Sequence, residues 1–445
     1  MKIQLPRDVQ HIIGVIEDAG YEAYAVGGCV RDALLNRTAA DWDITTSAEP
    51  MEIKRLFHRT IDVGLKHGTV TVLLGKRSYE VTTYRIDGDY EDARHPKNVH
   101  FTRDIGEDLK RRDFTINAMA YNERTGLLDL FSGREDLKNG IVRAVGDPME
   151  RFSEDALRIL RAFRFAAKLG FSVEESTAKY AGQMALNLKK ISAERIREEL
   201  TKIVSSEHPE VLRELYRQGI SRIILPEFDR CMETEQRNPH HCLNVGEHTI
   251  EAMRQLPSAE PFIILRLTML FHDMGKPECH TRDEKGIDHF HGHAKISAQI
   301  AERVLMRLKS DRRTMELVKI LVTNHDRKPA LTKKGVRRLM SELKEAFPLL
   351  FPVWRADMLA QSEYKREEKL SYIAEVERLY REIEEAKDPV SISDLKINGR
   401  DLMHELKIEP GPDMGSILNR LLDAVLSEPE LNNRDSLLAL AREWK

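Results

Sequence analysis

Between Tyr21 and Asp147, apolar and polar residues alternate in short β-branched runs separated by glycine-bearing turns. Gly68-Thr-Val-Thr-Val-Leu-Leu-Gly75 and Ser78-Tyr-Glu-Val-Thr-Thr-Tyr84, joined by Gly75-Lys-Arg77, predict a β-hairpin. Helix-period segments precede and follow it, so this part reads as a small mixed sheet with helices. From Met149 onward nearly every segment has helical spacing and strand signals vanish. Pro226 to Pro239 and Lys387 to Pro389 interrupt that spacing. The pattern predicts an α+β chain with a head at 1–147, a helical neck at 148–225, a helical body at 226–345 and a helical tail at 346–445.

The length of 445 residues suits about three domains. Lys and Arg total 70 against 73 acidic residues, so the chain is not globally basic. Any site for a polyanion must come from local clustering. With 32% charged and 41% hydrophobic residues, the balance is that of a globular chain, which excludes the disordered and membrane classes. Four cysteines form no framework, as expected in a reducing cytoplasm. The first residues carry no signal-peptide pattern. The most apolar window, Phe262 to Phe271, is too short to span a bilayer and contains Arg266. The expectation is a cytoplasmic protein with no membrane partner; nothing in the sequence specifies an oligomeric state.

Candidate chemistry begins at Ala25-Val-Gly-Gly-Cys-Val-Arg-Asp32, followed by Asp41-Trp-Asp-Ile44. Gly27 and Gly28 at the start of a helix bring backbone N–H groups against phosphate oxygens. On a strand, Asp41 and Asp43 share one face while Trp42 and Ile44 take the other. Two carboxylates so placed can hold two divalent ions, one activating a hydroxyl and one bridging a triphosphate. An incidental Asp-x-Asp in a surface turn is the bland alternative. The upstream glycine pair, with Arg31 and Asp32 in between, weighs against it.

Arg111-Arg-Asp-Phe-Thr-Ile-Asn-Ala118 is a second motif. Arg111 and Arg112 offer forked donors to phosphate, and Asp113 and Asn117 can hydrogen-bond sugar hydroxyls. Lys110-Arg-Arg is also a local basic patch. A third motif runs from Ser153-Glu-Asp-Ala-Leu-Arg158 to Arg161 and Arg164. On one helix, Asp155 and Arg158 are surface neighbours. An acceptor beside a donor matches the edges of cytosine and adenine, and leaves uracil and guanine with unpaired polar groups. Arg161 and Arg164 continue the stripe toward triphosphate or RNA backbone. Ser153 is the expected N-cap, with Glu154 and Asp155 in the first turn. Phe163, Phe165, Ala166 and Leu169 are expected in the core, and Gly170 at the C-cap.

Nine of the sixteen histidines lie between His240 and His325. They include His241, His248, His272-Asp273, His293 and His325-Asp326. Imidazoles and carboxylates concentrated in one helical segment suit a divalent metal. Spacing leaves open which of His241, His293 and His325 joins a ligand set.

The first two motifs resemble the active-site segments of class II tRNA nucleotidyltransferases, the CCA-adding enzymes, and the third extends the likeness. The resemblance implies a polymerase-beta-like head with a third carboxylate, for which Glu80 is the candidate. It also implies nucleotide contacts from Gly28, Arg31, Arg111, Arg112, Asp113, Asn117, Asp155, Arg158, Arg161 and Arg164. Two Mg²⁺ ions would sit on Asp41 and Asp43. Arg85 to Phe101 resembles the family's flexible loop for A addition, and Ser192 to Leu200 its helix-supporting motif. His248, His272, Asp273 and Asp326, with Leu265 to Pro277, resemble the HD phosphohydrolase superfamily, implying a second divalent-metal site. Ser391 to Leu402, then Glu409 to Gly415 opening a helix from Ser416, resemble a tail that grips tRNA by shape. The implied activity is addition of C, C and A from CTP and ATP to the tRNA 3′ end, with release of pyrophosphate. Four other readings stay open: an A-adding enzyme with a CC-adding partner, a bacterial poly(A) polymerase, an HD phosphohydrolase on RNA ends, and an RNA-binding scaffold.

Overall fold

Among the described residues, the head's strands run in the order β1 Ala23–Val26, β2 Ile44–Thr46, β3 Thr60–Ile61, β4 Thr69–Leu74, β5 Arg77–Thr83, β6 Arg85–Asp87, β7 Val99–Phe101, β8 Met119–Asn122 and β9 Gly126–Asp129, followed by the two-residue strand Ile141–Val142. The computed structural model describes residues 3–62, 64–88, 99–258 and 262–444. Seven strands form one mixed sheet in the order β3-β4-β5-β2-β1-β8-β9, and β6 pairs with β7 as a separate ribbon. β2 and β5 run parallel; the other neighbours are antiparallel. Most of the loop expected for A addition, residues 89–98, lies outside the described residues.

The expected hairpin is β4–β5. Leu74 faces Arg77, so its turn is the two residues Gly75 and Lys76. Gly75 has φ +61°, the left-handed backbone that such a turn asks of its first residue. Helix Arg7–Asp18 buries Val9, Ile12, Ile13 and Ile16, the stripe expected of one helical face.

The third motif does not start a helix. Helix Pro148–Glu154 ends at Asp155, which is extended, and helix Leu157–Leu169 follows. The N-cap is Asp147, whose side chain accepts from the Met149 N–H, and Pro148 occupies the first helical position. Ser153 instead sits in the last turn, its Oγ donating to Met149 O at 2.8 Å. Gly170 caps the second helix with φ +74°, and Phe163, Phe165, Ala166 and Leu169 are buried. Strands also persist beyond Met149. Ser172–Val173 pairs with Ile141–Val142, and Thr281–Arg282 with Asp288–His289. Two-residue ladders are too short to show a period in the sequence.

The chain forms two compact units, Met1–Asp229 and Arg230–Lys445. In the second, helices Val245–Arg254, Ile263–Phe271, His293–Arg307, Arg312–Asn324 and Leu350–Ala360 pack together. Trp354 is buried in an aromatic group with Phe347 and Phe351. The last three helices, Gly399–Leu406, Pro412–Ser427 and Arg434–Glu443, share a core that includes Leu402, Leu421, Val425 and Leu437. Trp444 packs against it beneath Arg420. The middle helix begins at Pro412, four residues before the expected Ser416, because proline is favoured at a first helical position. Among the described residues no helix is long and apolar enough to cross a membrane. None of the four cysteines, all among the described residues, is in a disulfide.

Candidate active site and a second cluster

Asp41 and Asp43 lie just before β2 and both are exposed. The parallel register Ile44↔Val81 puts Asp43 level with Glu80, one residue earlier on each chain segment. Glu80 is exposed on β5 between buried Tyr79 and Val81. The Asp43 carboxyl is held above its ordinary value, first by desolvation and then by Glu80 and Asp41, against the pull of Arg112. Crowded oxygen donors with too little positive charge around them favour a cation.

Gly27 has φ +83° and precedes helix Gly28–Leu34; a Cβ there would lie 3.0 Å from Arg112 Nη1. Any side chain there would push the guanidinium back by a few tenths of an ångström, and the positive φ is itself a glycine conformation. Arg112 and Arg111 are both held from below by Asp108, which is fully buried. Asp108 Oδ1 accepts from Arg111 Nη2 at 2.6 Å and Nε at 3.1 Å, and Oδ2 from Arg112 Nη2 at 3.4 Å. Burial raises the Asp108 pKa, but the two guanidiniums outweigh it and the carboxyl stays below its ordinary value. Asp108 lies outside the three sequence motifs. Its spacing of three and four residues from the arginines was the available signal.

Asp113 is the hub of the site. Its Oδ1 accepts from the Phe114 N–H at 2.9 Å and Asn117 Nδ2 at 3.2 Å; its Oδ2 accepts from Arg161 Nε at 2.9 Å and Nη2 at 2.5 Å. Four donors occupy the roughly four acceptor positions of a carboxylate, so a sugar hydroxyl reaches Asp113 only by replacing one. Burial works against the charge, yet Arg161 and the hydrogen bonds bring the carboxyl down to about 2. Asn117 Oδ1 accepts from Arg31 Nη1 at 2.6 Å, and Arg31 pairs with Asp32 at 2.7 Å. One network thus ties the Gly-Gly, Arg-Arg-Asp and Arg161 segments together. Arg31, Arg161 and Arg164 all sit over the Phe165 ring, Arg164 nearest at 4.0 Å. Arg164 does not extend as an open stripe: it pairs with buried Glu199 at 2.6 Å.

Asp155 and Arg158 are separated by the helix break, and each has other partners. Asp155 Oδ1 accepts from the Leu157 N–H at 2.9 Å, and Oδ2 from Arg195 Nη2 at 2.9 Å. Arg158 donates to Glu154 at 2.5 Å, Arg111 O at 2.9 Å and Arg151 O at 3.4 Å. Arg195 and Glu199 are four apart on helix Ala193–Val204, so one helical face anchors both Asp155 and Arg164.

In the second unit, His248, His272 and Asp273 form one group, and Asp273, His293 and His325 another; within each, the ligand atoms all lie within 4.8 Å of one another. Either group can hold a metal ion. His241 is in neither, though its ring lies 5.0 Å from that of His248. Asp326 also belongs to neither group, although it lines the same cavity of about 630 Å³. Its neighbour His325 is the one turned inward. The further carboxylate is Asp357, on helix Leu350–Ala360, with Oδ1 3.0 Å from His248 Nε2. Nothing in the sequence around Asp357 marks it.

Three family models match along the chain: the Poly A polymerase head domain over residues 23–143, the "Probable RNA and SrmB- binding site of polymerase A" over 170–232, and tRNA nucleotidyltransferase domain 2 over 281–441. The CCA-adding enzyme of Leuconostoc mesenteroides is 34% identical over 448 residues, covering 100% of this chain and 99% of its own. This chain belongs to the CCA-adding enzymes. The CCA-adding enzyme of Lactiplantibacillus plantarum is 35% identical over 99% of this chain and 97% of its own. Among solved structures, the Bacillus stearothermophilus CCA-adding enzyme in complex with CTP superposes with a TM-score of 0.73 at 26% identity, covering 99% of this chain and 98% of that one. The Thermotoga maritima CCA-adding enzyme complexed with tRNA shares the fold at a TM-score of 0.59 and 20% identity.

Proposed function

We propose that the first unit adds C, C and A in turn, from CTP and ATP, to the 3′ end of tRNA. The observation that carries this reading is the β2–β5 register, with Asp43 level with Glu80 and Asp41 two residues away. Such oxygen donors fit Mg²⁺. We assign Asp41 and Asp43 to two Mg²⁺ ions, with Glu80 as the third carboxylate. Ions bound there neutralise triphosphate charge and favour deprotonation of the attacking hydroxyl.

In the reaction the tRNA 3′ oxygen bonds to the α-phosphorus of the nucleotide, the α–β bridging bond breaks, and pyrophosphate leaves. The hydroxyl proton goes to solvent. The chain's own contribution is largely positioning and charge complementarity. Arg111 and Arg112, pre-set by Asp108, and the N–H groups behind Gly27 receive phosphate oxygens. Arg31, Asn117, Asp113 and Arg161 form a preordered frame for the sugar. Asp155 accepts from the amino group of cytosine or adenine, and Arg158 donates to the neighbouring ring nitrogen. Uracil and guanine present the reverse order. For Arg158 to read a base it exchanges Glu154 for that edge or uses its remaining N–H groups; guanidinium has five. Similarity to the Bacillus stearothermophilus enzyme solved with CTP supports the nucleotide assignment. Work on tRNA ends and four cysteines outside any disulfide both suit the cytoplasm.

The test is addition to three tRNA transcripts ending at the discriminator base, at C and at CC, with CTP, ATP or both. Completion of all three to CCA supports the reading. A single A added to the CC-ended transcript alone points to an A-adding enzyme, and no addition refutes both. The His/Asp cluster favours a second, accompanying reading of the second unit as a metal-dependent phosphohydrolase of the HD kind. Addition that requires Asp41 and survives His272→Ala keeps the two activities apart.

A further inference from the structure

The nucleotide-handling residues and the carboxylates follow one another along one end of the head sheet. Asn117 leads into β8 and Gly27 follows β1, with the Gly27 N–H donating to Met119 O at 3.1 Å. Next across the sheet comes Asp43, whose carbonyl accepts from the Val26 N–H at 3.0 Å, and then Glu80 on β5. The strand order β8-β1-β2-β5-β4 therefore puts the phosphate and sugar donors on one flank of the carboxylates and the β4–β5 hairpin on the other.

On the hairpin flank lies a cavity of about 1010 Å³, lined by Arg37, Asp41, Trp42, Lys76, Arg77 and Ser78 among others. It adjoins the carboxylates. Asp41 is part of its wall, and Ser78 sits two residues before Glu80 on β5, on the same strand face. The phosphate and sugar donors Gly27, Gly28, Arg112 and Asn117 do not line it. Its positive charge comes from two segments: Arg37 after helix Gly28–Leu34, and Lys76 with Arg77 at the hairpin turn. All three are exposed. The Arg77 side chain is 74% exposed, and its pair with Asp8 is a loose 3.8 Å that solvent screens. Trp42, half-buried, adds an aromatic surface. In a chain whose net charge is −3, this is the local cationic cluster that a polyanion needs.

We propose that this cavity receives the single-stranded 3′ end of the RNA, with backbone phosphates on Arg37, Lys76 and Arg77 and a base against Trp42. The inference rests on the reading of the head as the nucleotidyltransferase and deepens it by assigning the path of the RNA strand. Cations beside an aromatic ring hold single-stranded nucleic acid without reading its sequence. In-line transfer fixes the side from which the strand comes. The attacking oxygen meets the α-phosphorus opposite the leaving pyrophosphate. With the triphosphate held on the β1–β8 flank, the hydroxyl approaches from the β5 flank, past Asp41. Three successive additions also need a strand site indifferent to sequence, because the residues behind the 3′ end change after each step. Point charges and one stacking surface meet that need, whereas base-edge hydrogen bonds would not.

The test uses the full chain. With Arg37→Gln, Lys76→Gln and Arg77→Gln combined, KM for tRNA is expected to rise about tenfold, and the slope of log affinity for tRNA against log salt to fall by about 2, the share of three single-strand phosphate contacts. KM for CTP and kcat should stay within about twofold of wild type, a split that a merely structural role would not produce. Trp42 gives a readout that leaves the cavity intact. In a Trp354→Phe, Trp444→Phe background, its fluorescence should be quenched by a short single-stranded RNA ending in CC, added without nucleotide. An unchanged KM for tRNA, or a Trp42 signal that ignores the RNA, overturns the strand path in a protein that still adds nucleotides. A KM for CTP that rises as much as that for tRNA moves the cavity to the triphosphate and overturns it too. Equal quenching by pyrophosphate makes the cavity an anion site and has the same consequence. A wild-type protein that extends no transcript overturns the reading of the head instead, and Trp42 quenching then still decides whether the cavity takes RNA.

Discussion

Replacing Arg195 with methionine removes one anchor of Asp155 and leaves the other. Asp155 Oδ2 accepts from Arg195 at 2.9 Å, and Oδ1 keeps the Leu157 N–H at 2.9 Å. The two side chains are 22% and 18% exposed, so water replaces part of what is lost. A charge-assisted hydrogen bond in that setting contributes about 1.5 kcal/mol, the low end of its range. Methionine keeps an apolar stem, and buried Ile196, Leu200 and Ile203 still hold helix Ala193–Val204 in place. If Asp155 is the acceptor half of the base reader, about 1.5 kcal/mol of lost alignment lowers kcat/KM for CTP and ATP about tenfold. UTP and GTP gain nothing from a well-set Asp155 and lose less. The CTP:UTP and ATP:GTP ratios should then narrow by up to about tenfold. The assay is single-turnover addition to transcripts ending at C and at CC, with each of the four nucleotides in turn. Ratios within about twofold of wild type, in a folded variant, refute the reasoning and reduce Arg195 to a packing residue. An equal loss with all four nucleotides refutes it too, and moves Arg195 to RNA or phosphate binding.

Four further outcomes are expected. Asp113 titrates near 2 in the fold against an ordinary 3.8, a depressed carboxylate whose stabilisation is complete above about pH 4 and lost as pH falls through 2; the shift corresponds to roughly 2 kcal/mol. Arg161→Gln should abolish that rise of stability with pH, read by urea unfolding followed through Trp42 in a Trp354→Phe, Trp444→Phe background. Asp43→Asn should lower nucleotide addition by a factor on the order of 100 or more, while thermal stability at neutral pH holds or rises slightly, because the raised Asp43 carboxyl costs the fold energy when ionised. Glu199→Gln leaves the Arg164 guanidinium without its 2.6 Å counterion in a buried setting; a loss of about 3 kcal/mol is expected by chemical denaturation. Leu421 is fully buried in the tail core, and Leu421→Ala should cost about 2–5 kcal/mol there, measured by differential scanning calorimetry.

Much of the local structure was written in the chain. The β4–β5 hairpin followed from β-branched alternation around Gly75, and the end of helix Leu157–Leu169 from Gly170, because period and cap depend only on neighbouring residues. The Gly27-Gly28, Arg111-Arg-Asp and Asp155–Arg158 segments were likewise visible as clustered chemistry. Where local signals compete, sequence pattern alone does not choose between them. Ser153 looks like an N-cap, but Pro148 and Asp147 start the helix earlier, so Asp155 falls at its end.

The sequence by itself determined the helical periods, the hairpin and the residue types available to catalysis. The tertiary structure decided which charges meet. Asp108 beneath Arg111 and Arg112 spans three and four residues, but Glu199 beneath Arg164, Arg195 on Asp155 and Asp113 on Arg161 are joined only when segments distant in sequence pack. The same holds for Asp357 in place of Asp326 beside His248: residues 325 and 326 are adjacent and diverge, while a carboxylate from a distant helix arrives through packing. A buried ion pair depends on a short distance and a low local dielectric, and both are properties of the folded interior rather than of the order of residues along the chain.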